Sequence, residues 1–220
     1  MTIPHKDPLL EKMNKPLKTN WTPYLRISTY FIILGLLGIS ILPLSFNDIE
    51  CRLIITLQHF AQSFFGIPLF SIITYLGDFY LWSALSFVFF LYAYHKKSKK
   101  EFNLALQLGL YLLLISVSTY FLKIVFARPR PNCAPITVYG TESSLSYPSG
   151  HVSRATGAFI ILLGRRSPFK VAVTLVAILL LALSRIILGV HYPTDTIGGV
   201  FLALAIQKVT TLTLTRTRSS

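Results

Sequence analysis

Long apolar runs recur along the chain, separated by shorter polar or charged segments. The first run, Tyr24 to Phe46, is long enough for a hydrocarbon core of about 30 Å. Trp21, Tyr24 and Tyr30 stand where an aromatic belt anchors such a span. The next segment (47–77) is mixed. Ile54, Ile55, Leu57, Phe60, Phe64 and Phe65 follow a roughly helical spacing that Gln58, His59 and Gln62 interrupt, and Gly66 and Pro68 break. It predicts an amphipathic helix lying at the membrane interface and a second short one before Gly77. Spans follow from about Gly77 to Tyr94 and from Phe102 to Lys123. A polar loop (124–148) leads to a short helix from Ser149 to Gly164. A fifth span, Val171 to Val190, and a sixth starting near Asp195 complete the pattern. The expectation is an all-α integral membrane protein with six transmembrane helices, plus short interfacial helices on the outer side between spans one and two. The fourth helix reaches only roughly 24 Å at 1.5 Å per residue, so its polar end is recessed below the headgroups.

Composition supports this. Of 220 residues, 53% are hydrophobic and 13% charged, and the mean hydropathy is +0.60, too apolar for an ordinary soluble domain. The chain reads as one membrane-embedded domain (1–220) with a polar arm (1–23) and a tail (215–220). The arm carries Lys6, Lys12, Lys15 and Lys18 but no apolar core, so it is not a cleavable signal, and the first span serves as insertion signal.

Charge then fixes an orientation. A net charge of +13 suits nucleic acid only when it forms a basic face on a soluble domain, and here the cations lie between apolar runs. Nucleic acid is therefore excluded as a partner. If segment 47–77 does not cross, Lys96, Lys97, Lys99 and Lys100 share the cytoplasmic side of the cell membrane with the arm, as do Arg165, Arg166 and Lys170. Both termini are then inside. Of 21 Lys and Arg, all but six are cytoplasmic; the outer ones are Arg52, Lys123, Arg128, Arg130, Arg154 and Arg185. Orientation explains the first group, whereas the second asks for a ligand. Cys51 and Cys133 are too few for a disulfide framework. They share the outer side, where one bridge is open to them, but two free thiols are the plainer reading.

The chemistry converges on Tyr147-Pro148-Ser149-Gly150-His151. A helix start leaves N–H groups unpaired and carries positive dipole charge, so Ser149, Gly150 and His151 can serve one anion. Lys123, Arg130 and Arg185, with the Ser149 hydroxyl and the Gly150 N–H, suit the three equatorial oxygens of a phosphoryl group in transfer. His191 has a carboxylate, Asp195, at fixed short spacing, and His151 has none. Taken singly, plainer readings exist: snorkelling cations at Lys123 and Arg130, a capping His151, a structural His191–Asp195 pair. They do not account for all of these residues together. Arg154, one turn beyond His151, divides between supporting Asp195, touching phosphate and meeting lipid headgroups. Arg128 reads as peripheral.

Three segments carry the constellation: Lys123 with Arg130-Pro131, then Pro148-Ser149-Gly150-His151, then Ser184-Arg185 with His191 and Asp195. Together they resemble the tripartite signature of the type 2 phosphatidic acid phosphatase superfamily, which includes vanadium haloperoxidases and glucose-6-phosphatase. The resemblance implies His191 as the nucleophile on phosphorus, Asp195 as its orienting carboxylate, and His151 as the acid for the leaving oxygen and then the base for water. It implies phosphate binding by Lys123, Arg130, Ser149, Gly150 and Arg185, with Arg154 and Ser184 as candidates for support behind them. No metal or cofactor is implied, since Asp195 has another task and no carboxylate cluster accompanies it. The implied partner is a lipid phosphate in the bilayer. Compact members that dephosphorylate polyprenyl diphosphates are the nearest in layout; phosphatidic acid or phosphatidylglycerophosphate is the alternative substrate, and non-catalytic headgroup capture the alternative of another kind. Vanadate-dependent oxidation is set aside, because those relatives are longer and soluble.

Overall fold

The computed structural model describes residues 22–40, 44–64, 66–140, 142–164 and 167–216, and every regular element there is helical. In chain order these are α1 (Thr22–Ser40), α2 (Leu44–Ser63), α3 (Gly66–Ile73) running into a 3-10 turn (Thr74–Gly77), α4 (Phe79–His95), α5 (Lys99–Phe126), α6 (Gly150–Leu163), α7 (Pro168–Ile187) and α8 (Pro193–Arg216). The basic arm as far as Trp21, Arg165, Arg166 and the tail past Arg216 lie outside the described residues.

Helices α1, α5, α7 and α8 are long and apolar enough to cross a membrane, so the chain is a multi-pass membrane protein. Helices α4 and α6, of 17 and 14 residues, are apolar but shorter. Of the expected first span, residues 22–40 are helical in α1, residues 41–43 lie outside the described residues, and the described chain resumes as a helix at Leu44. Between α2 and α3 the direction changes by 113°.

Local chemistry fixes the boundaries. Asp78 caps α4 by accepting from the Tyr80 N–H at 2.7 Å and the Leu81 N–H at 3.1 Å. Ser98 caps α5 with Glu101 in its first turn. At the far end of α5, Ala127 adopts a left-handed conformation and returns its N–H to the Lys123 carbonyl at 2.9 Å. Pro168 sits in the first turn of α7.

Helix α6 is the centre of the bundle, packed against α4, α5, α7, α8 and the 3-10 turn. Small residues allow the close approach that helix association in lipid relies on. Ala155 and Ala158 are buried on α6, and Ala203 and Ala205 on α8. Gly157 leaves space that the Tyr111 ring fills, and the Tyr111 hydroxyl donates to the Ser153 carbonyl at 2.5 Å. The 3-10 turn also needs a glycine, because a Cβ on Gly77 would stand 2.6 Å from the His151 Cβ. These contacts gather the end of α5, the start of α6, the end of α7 and the start of α8 at one end of the bundle, where the segment from Ala127 to Ser149 crosses between them.

Candidate active site

A cavity of about 270 Å³ at this end is lined by Lys123 of α5, Gly150, His151 and Arg154 of α6, His191 before α8, and Glu142 and Ser144 of the crossing segment, while Arg185, at the end of α7, lines a second cavity that shares Glu142 and His151 with the first. The His191 ring is 1% exposed. Its Nδ1 lies 3.4 Å from Asp195 Oδ2 and 3.3 Å from the Ser146 hydroxyl. Asp195 is itself held by three donors besides: the Ser146 hydroxyl, the Tyr192 N–H at 2.8 Å and Arg128 Nη1 at 2.7 Å. An Nδ1–H donated to Asp195 leaves the lone pair on Nε2, which stands 3.5 Å from Arg130 Nη1. Burial first, then the charges of Arg185, Arg130 and Lys123, holds the His191 imidazole well below its ordinary value of 6.5, so the ring is neutral.

The cations converge as well. Arg130 is braced by the Val190 carbonyl at 2.6 Å and the Ser144 carbonyl at 2.6 Å. Lys123 Nζ donates to the Ser144 hydroxyl at 2.8 Å and the Leu145 carbonyl at 2.5 Å. Arg185 Nη1 donates to the Thr74 hydroxyl at 2.7 Å, and Arg154 Nε to the Gly77 carbonyl at 3.2 Å. Arg154 therefore stands at the cavity without touching Asp195. The Ser149 hydroxyl and Arg185 Nε are buried and have no hydrogen-bond partner, the condition of groups that serve an anion. Ser184 is not drawn into the site, since its hydroxyl donates within α7 to the Leu181 carbonyl at 2.7 Å.

Several residues that are not themselves motif positions lie at the site. Arg128, expected at the periphery, is 4% exposed and lies at the centre of a buried network. It joins Asp195 to Glu50 of α2 at 2.5 Å, donates to Asn47 and Thr194 at 2.7 Å each, and covers the Tyr192 ring at 3.7 Å. Pairing with two carboxylates offsets the cost of burying its charge. Glu50 in turn accepts from the Thr194 N–H and hydroxyl at 2.8 Å each, capping α8. Ser146, which steadies both His191 and Asp195, had only its place two residues before Pro148 to mark it. Glu142 had a stronger signal as the one acid between residues 124 and 148. It pairs with Arg185 at 2.5 Å and Arg130 at 3.2 Å. Partial burial would raise the Glu142 carboxyl, but Arg185 and Arg130 outweigh this and hold it below 4.5.

The cysteines differ from the plainer expectation of free thiols. Cys51 and Cys133 form a disulfide, with Cα atoms 6.1 Å apart, that ties α2 to the crossing segment.

Comparison with known proteins places these residues in context. A family model described as the PAP2 superfamily matches residues 104–218, just over half of the chain. The chain is similar to the decaprenylphosphoryl-5-phosphoribose phosphatase of Mycobacterium tuberculosis, 42% identical over 89 residues that cover 40% of this chain and 49% of the relative. It is also similar to phosphatidylglycerophosphatase B of Bacillus subtilis, 38% identical over 93 residues that cover 38% of this chain and 44% of the relative. The chain thus spans about half the length of the curated relatives it matches. Its fold resembles the crystal structure of a transmembrane PAP2 type phosphatidylglycerolphosphate phosphatase from Bacillus subtilis, with a TM-score of 0.70 and 23% identity, covering 86% of this chain and 95% of that one.

Proposed function

Since the chain belongs to the PAP2 superfamily, we propose that it is a metal-independent lipid phosphate phosphatase working through a phosphohistidine, with a polyprenyl diphosphate as the preferred substrate. The observation that carries this is continuity between a charged cavity and an apolar groove. A groove of about 660 Å³ runs between α4 and α5, lined by residues such as Ser83, Phe87, Phe90, Leu113 and Val117. Phe79 and Ser116 line both it and the cavity of the two histidines. A tail lying along α4 and α5 in lipid therefore delivers its phosphate to the cations without leaving the bilayer. A water-soluble sugar phosphate has no use for such a groove.

The arrangement of the site supports the following reaction. Lys123, Arg130, Arg185 and the start of α6 hold the phosphoryl oxygens. His191 Nε2 attacks phosphorus as the bond to the leaving oxygen breaks, and His151 gives that oxygen its proton. Asp195, held by Arg128 and Ser146, stabilises the imidazolium that forms. His151 then takes a proton from water, the hydroxide displaces His191, and inorganic phosphate departs.

Six spans with the site outward fit two independent features. The 28 residues of α5 reach about 42 Å, placing Lys96 to Lys100 at one end and Lys123 at the other. Lys clusters stay cytoplasmic, and the disulfide beside the site belongs in an oxidising compartment. The M. tuberculosis relative, named for a decaprenyl-linked phosphate, favours a polyprenyl substrate. The B. subtilis relative keeps phosphatidylglycerophosphate as the second reading.

The test is phosphate release by purified protein in detergent with EDTA, from polyprenyl diphosphate, phosphatidic acid and phosphatidylglycerophosphate. Release from the first should exceed the others and drop by at least about a thousandfold in His191→Ala. Equal function in that variant would instead point to headgroup binding without catalysis, and dependence on added metal would sink the mechanism.

A further inference from the structure

The two arginines assigned to substrate phosphate already hold an anion. Glu142 Oε1 accepts from Arg185 Nη2 at 2.5 Å, and Oε2 accepts from Arg130 Nη2 at 3.2 Å. The same Oε1 lies 3.8 Å from His151 Nδ1. The Glu142 side chain is 28% exposed, whereas that of Arg185 is 4% exposed, so the carboxylate is the accessible member of the pair. Glu142 also lines two cavities that reach His151, one shared with Lys123 and another shared with Thr74, Asp78 and Tyr139.

Arg130 and Arg185 both contact Glu142, and Lys123 lines a cavity with it; cations gathered this closely repel one another unless an anion joins them. Building on the phosphatase reading, we propose that Glu142 is the resident anion of the phosphate cradle and sets its selectivity: a doubly charged terminal phosphoryl group displaces it, and a singly charged phosphodiester does not. The reason is charge balance. A phosphodiester replacing a carboxylate exchanges one negative charge for one and gains nothing electrostatically, while it gives up a well-placed pair of hydrogen bonds. A phosphomonoester or the terminal phosphate of a diphosphate brings about two negative charges near neutral pH and satisfies cations that one carboxylate leaves uncompensated. The distinction matters because the bulk phospholipids of a bilayer are phosphodiesters, present in vast excess over a substrate. Without a competitor for Arg130 and Arg185, an open groove leading to a cationic cradle would fill with bulk anionic lipid. Selectivity here comes from an element acting against the wrong ligand.

Binding of two probes to the purified protein in neutral detergent tests this separately from turnover: inorganic phosphate, and short-chain phosphatidylglycerol as the phosphodiester. The wild type should bind phosphate and ignore phosphatidylglycerol. Glu142→Gln should bind phosphate about tenfold more tightly and acquire phosphatidylglycerol binding, and phosphatidylglycerol should then become a competitive inhibitor of lipid phosphate turnover. Glu142→Asp, which keeps the charge, should still exclude phosphatidylglycerol. Unchanged or weaker phosphate affinity in Glu142→Gln, with phosphatidylglycerol still excluded, overturns the proposal. So does a fall in kcat with both affinities unaltered, which would mean that Glu142 acts on His151 instead. Absence of phosphate release from any lipid by the wild type would overturn the phosphatase reading alone, since the binding comparison stands without it.

Discussion

Arg128 is joined to two carboxylates that are 145 residues apart in numbering, Glu50 and Asp195, and all three side chains are buried. Removing one partner from such a group leaves charge unpaired in a medium that cannot solvate it. Arg128→Ala should therefore lose about 3–5 kcal/mol of stability, measured by thermal or denaturant melts in detergent. Arg128→Lys should restore little, because one ammonium cannot reproduce a fork with four partners. A melting temperature equal to that of the wild type would show the network to be dispensable. His191 makes the second prediction at this scale. The folded chain keeps its imidazole neutral well below 6.5, whereas the unfolded chain protonates it near that value. The unfolded state thus takes up the extra proton, so this contribution is complete above about pH 6.5 and is lost progressively as pH falls below it. Tm should be level from about pH 8 to 6.5 and decline beneath, and His191→Asn should flatten part of the decline. A wild-type Tm that rises on acidification would contradict the neutral ring.

Among the elements, α2 has the role least visible beforehand. Its polar residues look like interruptions of an apolar face, yet among its described side chains Glu50, Cys51, Ile54, Gln58 and Ala61 are the buried ones and share one side. Gln58 donates to the Thr137 and Ile187 carbonyls at 2.7 and 2.9 Å and accepts from the Thr137 N–H at 3.1 Å. With the disulfide and the Glu50 pair, it makes α2 a brace across the crossing segment. Reduction, or Cys51→Ser with Cys133→Ser, should lower stability by about 2–4 kcal/mol. Reductant should have no further effect on the double variant, and an unchanged Tm in both would remove the brace. Helices α4 to α8 were legible because runs of apolar residues and their caps are local properties, and the histidines and most cradle cations because their spacing within each segment is fixed. The pairing of Arg128 with Glu50 across 78 positions was not legible, since nothing near either residue announces the other. Ser184, a candidate for support on the resemblance, goes the other way: adjacent residues on a helix face different directions, and its hydroxyl turns back into α7 while Arg185 faces Glu142.

For the molecule as a whole, a belt of exposed apolar side chains such as Phe31, Phe87, Leu113 and Leu179 surrounds a charged interior that is open at one end. The first suits lipid and the second, on the proposed reading, takes phosphate, so the protein is a meeting place for two kinds of solvent. The cavity that joins the α4–α5 groove through Phe79 and Ser116 and the polar cavity beside Thr74, Asp78 and Tyr139 have Glu142 and His151 in common. Filling the polar one with Ser71→Trp should slow steady-state turnover several-fold while leaving phosphoenzyme formation, trapped by rapid quench, at its normal rate. Equal slowing of both would mean a single route. On the proposed phosphatase reading, two routes let the dephosphorylated lipid retreat the way it came while the inorganic ion departs by another door, so that neither product queues behind the other and turnover is not held up at release.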